Sequence, residues 1–276
     1  MTYDVLGPGA LDYFPCRYGR SKLMFRGPQR DLAEPYIAFL GGTRTYGKFI
    51  EMPFPALVEQ RIGMPCVNLG QPNAGIDAFV HDRFVTEAAA RAEKVVLQVM
   101  GAQNMSNRFY TVHPRRNDRF VAPSKLLQAI FPEVDFADFH FTGHLLQRLE
   151  KVSPERFAAV RTELQRAWVA RMKLLLGQIG KPCLLLWVSD RRPDAVAEQG
   201  LKGAGFGPLF VTRKMLDSLR DHAAGLVEVV VSLAAVAAGT EGMVFTPLEE
   251  LAAQQMLGPM AHAECAAALS HELQGA

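Results

Sequence analysis

The prediction of the fold of this 276-residue chain starts from residues 36–47, Tyr36-Ile37-Ala38-Phe39-Leu40-Gly41-Gly42-Thr43-Arg44-Thr45-Tyr46-Gly47. The first five residues of this stretch form a continuous apolar run, which is typical of a strand buried on both faces of a parallel sheet. The paired glycines then permit a tight turn and close backbone approach. We therefore expect the loop from Gly41 to Gly47 at the carboxyl end of a strand, where α/β proteins carry their ligand sites.

Four further apolar runs repeat this pattern along the chain. The segments between them have helical spacing, so the sequence predicts an α/β fold of three layers, with a doubly wound, mostly parallel five-stranded sheet. Ser153 and Thr212 stand at N-cap positions, and Pro154 stands at a first helical position. The predicted strands are 36–40, 66–69, 95–99, 183–188 and 227–231, and the predicted helices are 54–62, 76–92, 154–179, 213–224 and 259–273.

The composition and the punctuation of the sequence indicate one domain. No linker divides residues 1–276, and 49% hydrophobic residues supply one sizeable core, with an inserted loop and helical region around 101–150. A net charge of +2 gives no basis for a nucleic-acid partner. The longest apolar stretch, 226–238, is too short for a membrane span, and the N-terminus lacks signal-peptide features. We therefore expect a cytoplasmic location at synthesis.

The cysteines indicate a reducing compartment. Cys16, Cys66, Cys183 and Cys265 are too far apart in sequence for a CxxC pair or a metal knuckle. Cys66 and Cys183 lie in predicted buried strands, so we expect free thiols. The sequence predicts no cofactor and no metal site.

Three loops that follow the first three predicted strands are candidates for the site. In the first, backbone N–H groups around Thr43 could hold an oxyanion, although the phosphate-binding pattern GxxxxGK[ST] is absent. The alternative is a plain turn in which Thr43 caps the next segment. In the second, 68–75, the amide of Gly70 or Gly75 could donate into the same pocket, or the loop is a simple turn.

The third loop, 100–107, is rich in side-chain amides. Gln103, Asn104 and Asn107 could orient a substrate oxygen or stabilise developing negative charge. The alternative is a polar connection without a ligand. We favour function, because polar loops on a rigid scaffold commonly carry binding residues.

Together the three loops resemble the SGNH hydrolase (GDSL-type esterase/lipase) superfamily. Its first block, Gly-Asp-Ser-x-Thr-x-Gly, corresponds to 41–47 here. Its second, a strand ending in Asn-x-Gly, is matched by Asn68-Leu69-Gly70, and its third, Gly-x-Asn-Asp, is approximated by 101–104 with one extra residue. The resemblance implies that Thr43 stands at the nucleophile position, with Gly42, Gly70, Gly75 and the amide loop around the oxyanion. The chain as a whole also resembles a group of alphaproteobacterial proteins, which implies no activity.

The chain departs from that pattern at the catalytic positions. Thr43 replaces the serine, and Gly42 replaces the aspartate that precedes it. When Pro259 is aligned with the family's late proline, Gln255 and Gly258 fall at the positions of the catalytic Asp and His. Neither residue can act as a base, and a hydroxyl without a base is a weak nucleophile.

Two hypotheses on function follow. The first is a non-catalytic binding or structural module that recognises a cell-surface saccharide or forms part of a larger assembly. The second is an ester or acyl hydrolase, acting on a small ester or an acylated carbohydrate, that uses Thr43 with a relocated histidine. His262 and His113 are the candidate bases, with His140 and His144 nearby in sequence; a lone histidine is more often structural.

A basic and aromatic segment lies within the inserted region. Arginines beside aromatic rings suit contacts with a saccharide, an acidic polysaccharide or a protein partner. The alternative is a solvated basic loop anchored by its aromatic residues. The candidate contact residues are Arg108, Arg115, Arg116 and Tyr110 in this segment, and Arg44 in the first loop.

Overall fold

A five-stranded parallel sheet forms the centre of the computed structural model, which describes residues 10–196, 201 and 205–275. The strand order is β2-β1-β3-β6-β7, and β4 pairs with β5 in a separate antiparallel ribbon. The prediction of a doubly wound parallel sheet is therefore confirmed. The strands are β1 Ile37–Leu40, β2 Cys66–Asn68, β3 Lys94–Gln98, β4 Tyr110–Val112, β5 Phe120–Pro123, β6 Cys183–Ser189 and β7 Ala223–Val230.

Helices cover both faces of the sheet because successive strand residues point to opposite sides. In β1, Ala38 and Leu40 join one core, and Ile37 and Phe39 join the other. The first core includes α3, α4 and α7, and the second includes α2 and α11. The helices are α1 Thr43–Tyr46, α2 Phe54–Ile62, α3 Asp77–Val80, α4 Arg83–Arg91, α5 Lys125–Ile130, α6 Thr142–Val152, α7 Pro154–Ile179, α8 Arg213–Asp217, α9 Leu233–Ala237, α10 Glu250–Ala253 and α11 Pro259–Gly275.

The long helix α7 has the bounds that the sequence predicts. The Ser153 hydroxyl accepts a hydrogen bond from the amide of Arg156, with Pro154 at the first helical position. Its apolar stripe, which includes Trp168, is buried against the sheet. The indole N–H of Trp168 donates to the backbone oxygen of Met100, at 2.8 Å, so this helix supports the segment that follows β3.

Two predicted helices are wrong in their extent. The segment 76–92 forms two helices, because the first ends at the C-cap His81 and Asp82 caps α4 by accepting from the amide of Val85. The Asp82 carboxylate also accepts from the hydroxyl of Ser21, a partner that local spacing does not show. The segment predicted as helix 213–224 is helical only to Asp217, and β7 starts at Ala223, because pairing with β6 extends the strand toward its N-terminus.

All four cysteines are free thiols, and Cys66 and Cys183 are buried, as predicted. In the described parts of the chain, we find no helix with both the length and the apolar content to cross a membrane.

Arg26 anchors the segment that precedes the sheet. Its side chain is buried, and its guanidinium donates to four backbone oxygens at the end of α1 and in the segment that follows it. These acceptors belong to Tyr46, Gly47, Ile50 and Glu51, at 3.2, 2.6, 2.7 and 2.8 Å.

We predict that Arg26→Met lowers the free energy of unfolding by about 2–4 kcal/mol, because several buried carbonyl groups lose their donor. Urea unfolding followed by circular dichroism measures the change. The matched control, Arg20→Met, alters an exposed arginine and should leave the midpoint nearly unchanged. Equal midpoints for both variants would contradict this role for Arg26.

Candidate functional site

A cleft of about 180 Å³ opens at the carboxyl ends of β1 and β3. The loops after these strands form two of its walls, and residues 207–209 and 255–256 complete it. Apolar contacts come from Met100, Pro208, Leu209 and Met256. Its polar side chains are those of Thr43, Arg44, Asn73, Gln98, Gln103, Asn104 and Gln255.

The carboxamide of Gln98 fixes the first loop against β3. Its Oε1 accepts from the amide of Gly42 at 3.1 Å, from the amide of Thr45 at 3.3 Å and from the hydroxyl of Thr45 at 2.7 Å. Gln98 is buried, so these bonds satisfy an otherwise costly polar group. Sequence reasoning missed this residue, although a glutamine inside the apolar run 95–99 is a signal that could have revealed it.

Gly41 is required by the close approach of that carboxamide. A Cβ at this position would lie 2.1 Å from Thr45 Oγ1 and 2.6 Å from Gln98 Oε1. At Gly42 the nearest atom to a Cβ would be the Ala74 oxygen, at 3.5 Å, which is ordinary contact. The two adjacent glycines therefore differ in their constraint.

The Thr43 hydroxyl lies at the cleft and is paired with Asn73. Its Oγ1 accepts from the amide of Asn73 at 2.8 Å and donates to Asn73 Oδ1 at 3.3 Å. Gly42 is the N-cap of α1 and Thr43 is its first residue, so the alternative in which Thr43 caps this helix is wrong. The hydroxyl instead links the first loop to the second.

The backbone amides predicted for an oxyanion are engaged within the protein. The amide of Gly70 donates to Asn68 Oδ1, and that of Gly75 donates to Asn117 Oδ1, both at 2.9 Å. The Gly42 amide is held by the Gln98 carboxamide. These three N–H groups therefore build the loops rather than point to a ligand.

The amide-rich loop divides into two residues at the cleft and one that shapes the turn. Gln103 and Asn104 line the cleft, and Asn104 Oδ1 accepts from the hydroxyl of Thr142 at 2.7 Å. Asn107 Oδ1 accepts from two amides of its own turn, which is a structural use. In the described structure, Gln103 Oε1 is buried and has no hydrogen-bond partner.

Tyr110 supports this loop from inside the fold. Its hydroxyl donates to the Gln103 backbone oxygen at 2.7 Å, and the side chain is buried. Burial also raises the pKa of this phenol above its ordinary value. Tyr110 therefore packs inside the fold, and it is not placed to contact a ligand or a partner as expected.

The candidate histidines lie outside the lining of the cleft. His262 is buried on α11, where its ring stacks on Phe54 and its Nδ1 accepts from the Phe54 amide at 3.0 Å. Burial lowers the pKa of His262 to about 3, so the ring is neutral. His113 Nδ1 accepts from the amides of Arg115 and Arg116, which makes it the centre of a turn. The other two considered from sequence, His140 and His144, are exposed, and His144 lies on α6.

The arginines take two different environments. Arg44 is half-buried at the cleft, its guanidinium donates to the Val188 oxygen at 3.1 Å, and burial lowers its pKa to about 10. Arg108, Arg115 and Arg116 are exposed and lie outside the cleft lining. At 3.8 Å, the Arg108–Glu163 pair is a loose surface contact.

The last loop places one of the two aligned tail residues at the cleft. Gln255 lines it, whereas Gly258 lies in an adjoining apolar cavity of about 70 Å³. Across the residues that the structure describes, no group of three His, Cys, Asp or Glu side chains is arranged to hold a metal ion.

Fold and cleft together define a three-layer α/β protein with a polar site at the carboxyl ends of its central strands. The chain belongs to the family described as a domain of unknown function (DUF6473), whose model matches residues 1–276. Among curated proteins, none matches it.

Three solved structures are similar in shape, each with a TM-score of 0.43. The lipase/acylhydrolase from Enterococcus faecalis is 10% identical, over 88% of this chain and 96% of its own. The lipase Lip_vut3 from a goat rumen metagenome is 12% identical, over 86% and 97%. A carbohydrate esterase family 2 enzyme with a carbohydrate-binding domain, from Corynascus thermopiles (Myceliophthora fergusii), is 9% identical, over 91% and 68%. Likeness at this level carries no argument about activity.

We predict that Gly41→Ala lowers the free energy of unfolding by about 1–3 kcal/mol, because the new methyl group overlaps the Gln98 carboxamide. Gly42→Ala is the matched control, since its methyl group meets only ordinary contacts. Thermal unfolding of both variants beside the wild type measures the difference. A Gly41→Ala protein as stable as Gly42→Ala would show that the loop is not held as described.

We also predict that His262 makes the protein less stable as the pH falls. The unfolded ring titrates near pH 6.5 and the folded ring near 3, so between these values protons bind preferentially to the unfolded state. Between pH 7 and pH 5, the wild type should lose about 2 kcal/mol more than His262→Gln.

Urea unfolding at the two pH values measures this difference. His271→Gln, which changes an exposed histidine on the same helix, is the control and should keep the wild-type dependence. An unchanged pH dependence in His262→Gln would mean that the buried ring is not the source.

Proposed function

We propose that this protein binds a small, oxygen-rich ligand of the saccharide class in the cleft after β1 and β3, without hydrolysing it. The observation that carries the proposal is the chemistry of the lining. Its described polar side chains are a hydroxyl, five carboxamides and a guanidinium, with no imidazole and no carboxylate. Acyl transfer by a hydroxyl needs a base within hydrogen-bond reach, and this lining supplies none.

The contacts of the hydroxyl support the same conclusion. Thr43 exchanges its hydrogen bonds with Asn73, and the amides of Gly70 and Gly75 are engaged with side chains. A hydrolase would use this hydroxyl as nucleophile and those amides as donors to the oxyanion. Here both sets of groups hold the loops together.

The size of the cleft favours a ligand with a single sugar ring over an oligosaccharide. Its volume of about 180 Å³ equals that of about six liquid water molecules. Carboxamides and a hydroxyl around such a volume suit the hydroxyl groups of a single sugar ring, because each can donate or accept a hydrogen bond. Met100 and Met256 offer apolar contact to the ring face.

The test combines an activity assay with a binding assay. We predict that the wild type releases p-nitrophenol from p-nitrophenyl acetate and butyrate no faster than Thr43→Val does. The Thr43→Val protein should bind monosaccharides about threefold to tenfold more weakly, because the hydrogen bonds to Asn73 that hold this wall of the cleft are lost. Ligand-observed NMR titration with a panel of monosaccharides measures the affinity.

Thr162→Val, which changes an exposed threonine on α7, is the control for both assays. Ester turnover that depends on Thr43 would overturn the non-catalytic proposal in favour of a hydrolase. Failure of every sugar in the panel to bind would overturn the proposed ligand class.

A further inference from the structure

Three carboxamides around the cleft share one orientation, in which the oxygen accepts hydrogen bonds from the protein. Gln98 Oε1 faces two backbone N–H groups and a hydroxyl, so the oxygen must occupy that side. Asn73 Oδ1 accepts a hydrogen bond from the Thr43 hydroxyl, and the same hydroxyl accepts one from the backbone N–H of Asn73. Asn104 Oδ1 accepts from Thr142. Each of these oxygens is already engaged within the protein, so the NH₂ groups are the main polar groups that these three side chains offer a ligand.

Arg44 adds a positive charge to these donors. It is the charged side chain among the described residues that line the cleft, and it forms no ion pair within the described structure. One of its nitrogens donates to Val188, which leaves further N–H groups for a ligand. The neighbouring carboxylate of Asp190 pairs with Arg191 at 3.1 Å, so it does not neutralise Arg44 directly.

We infer that the ligand carries an oxyanion, held by the guanidinium of Arg44 and by the NH₂ groups of Gln98, Asn73 and Asn104. A site with several donors, one cation and no carboxylate is complementary to an anionic acceptor. This inference rests on the proposed function, and it narrows the ligand from any small sugar to an acidic one.

Gln103 adds a requirement for a hydrogen-bond donor on the ligand. Its Oε1 is buried and unpartnered, and a buried acceptor without a donor is costly. A hydroxyl group on the ligand supplies that donor. The ligand class is therefore a small molecule that carries both an oxyanion and a hydroxyl, such as a sugar acid or a sugar phosphate.

Isothermal titration of the full chain with four probes tests this inference. Glucuronate carries a carboxylate, glucose 6-phosphate carries a phosphate, glucose is neutral, and inorganic phosphate lacks the sugar. At least one acidic sugar should bind about tenfold or more tightly than glucose, since hydrogen bonds to a charged group are stronger than neutral ones. Comparison of the two acidic sugars distinguishes carboxylate from phosphate, and inorganic phosphate should bind more weakly than its sugar ester.

Two variants assign the effect to the cleft. Arg44→Gln should remove the preference for the acidic sugar over glucose. Gln255→Glu places a carboxylate at the exposed rim and should weaken the acidic sugar about tenfold through repulsion. This second variant decides the matter if Arg44→Gln does not fold. Gln147→Glu, on the exposed side of α6, is its charge-matched control.

The outcomes separate this inference from the proposed function. Equal affinity for the acidic sugars and glucose would overturn the oxyanion and leave saccharide binding in place. An acidic preference that survives both Arg44→Gln and Gln255→Glu would place the anion elsewhere and overturn the site. Thr43-dependent ester turnover, or no binding of any sugar, would overturn the proposed function itself.

Discussion

One buried carboxamide oxygen, Gln98 Oε1, determines the geometry on which the cleft depends. It accepts hydrogen bonds from the Gly42 amide and from both donor groups of Thr45, and these bonds fix the path of the chain after β1. Gly41 leaves the space for this contact. Thr43 and Arg44 are presented to the cleft as a consequence, because they sit between the two anchored residues. The hydrogen bonds that the buried Gln98 oxygen requires at the end of an apolar strand thus also shape the site.

The other loops are held in the same way, because polar atoms in them form hydrogen bonds within the protein. Asn117 holds the second loop, Asn68 holds Gly70, and Thr142 orients Asn104. Such a network makes the walls rigid, since every anchored amide removes a conformational freedom that binding would otherwise have to restrict. The resulting surface has a fixed arrangement of donors, which suits the recognition proposed above.

Sequence reasoning was accurate where a single local rule applies. Apolar runs located the strands, and Ser153 with Pro154 located the start of α7. It failed where a distant partner decides the outcome: Asp82 interrupts the predicted helix through Ser21, and the Gly75 amide is taken by Asn117. The order of the loops predicts a site at the carboxyl ends of the strands, and a cleft lies there. Which N–H groups remain available there depends on partners far along the chain, and spacing alone does not contain that information.

The bond from Asn117 to Gly75 has a consequence for how this family can vary. Asn117 also accepts from the Ala78 amide, so a residue between β4 and β5 holds a segment about forty positions earlier. Residues 101–150 therefore cannot be replaced by an unrelated segment without loss of these two hydrogen bonds. Their exposed turns can drift in length, but Asn117 and the backbone it holds are expected to be inherited as a pair.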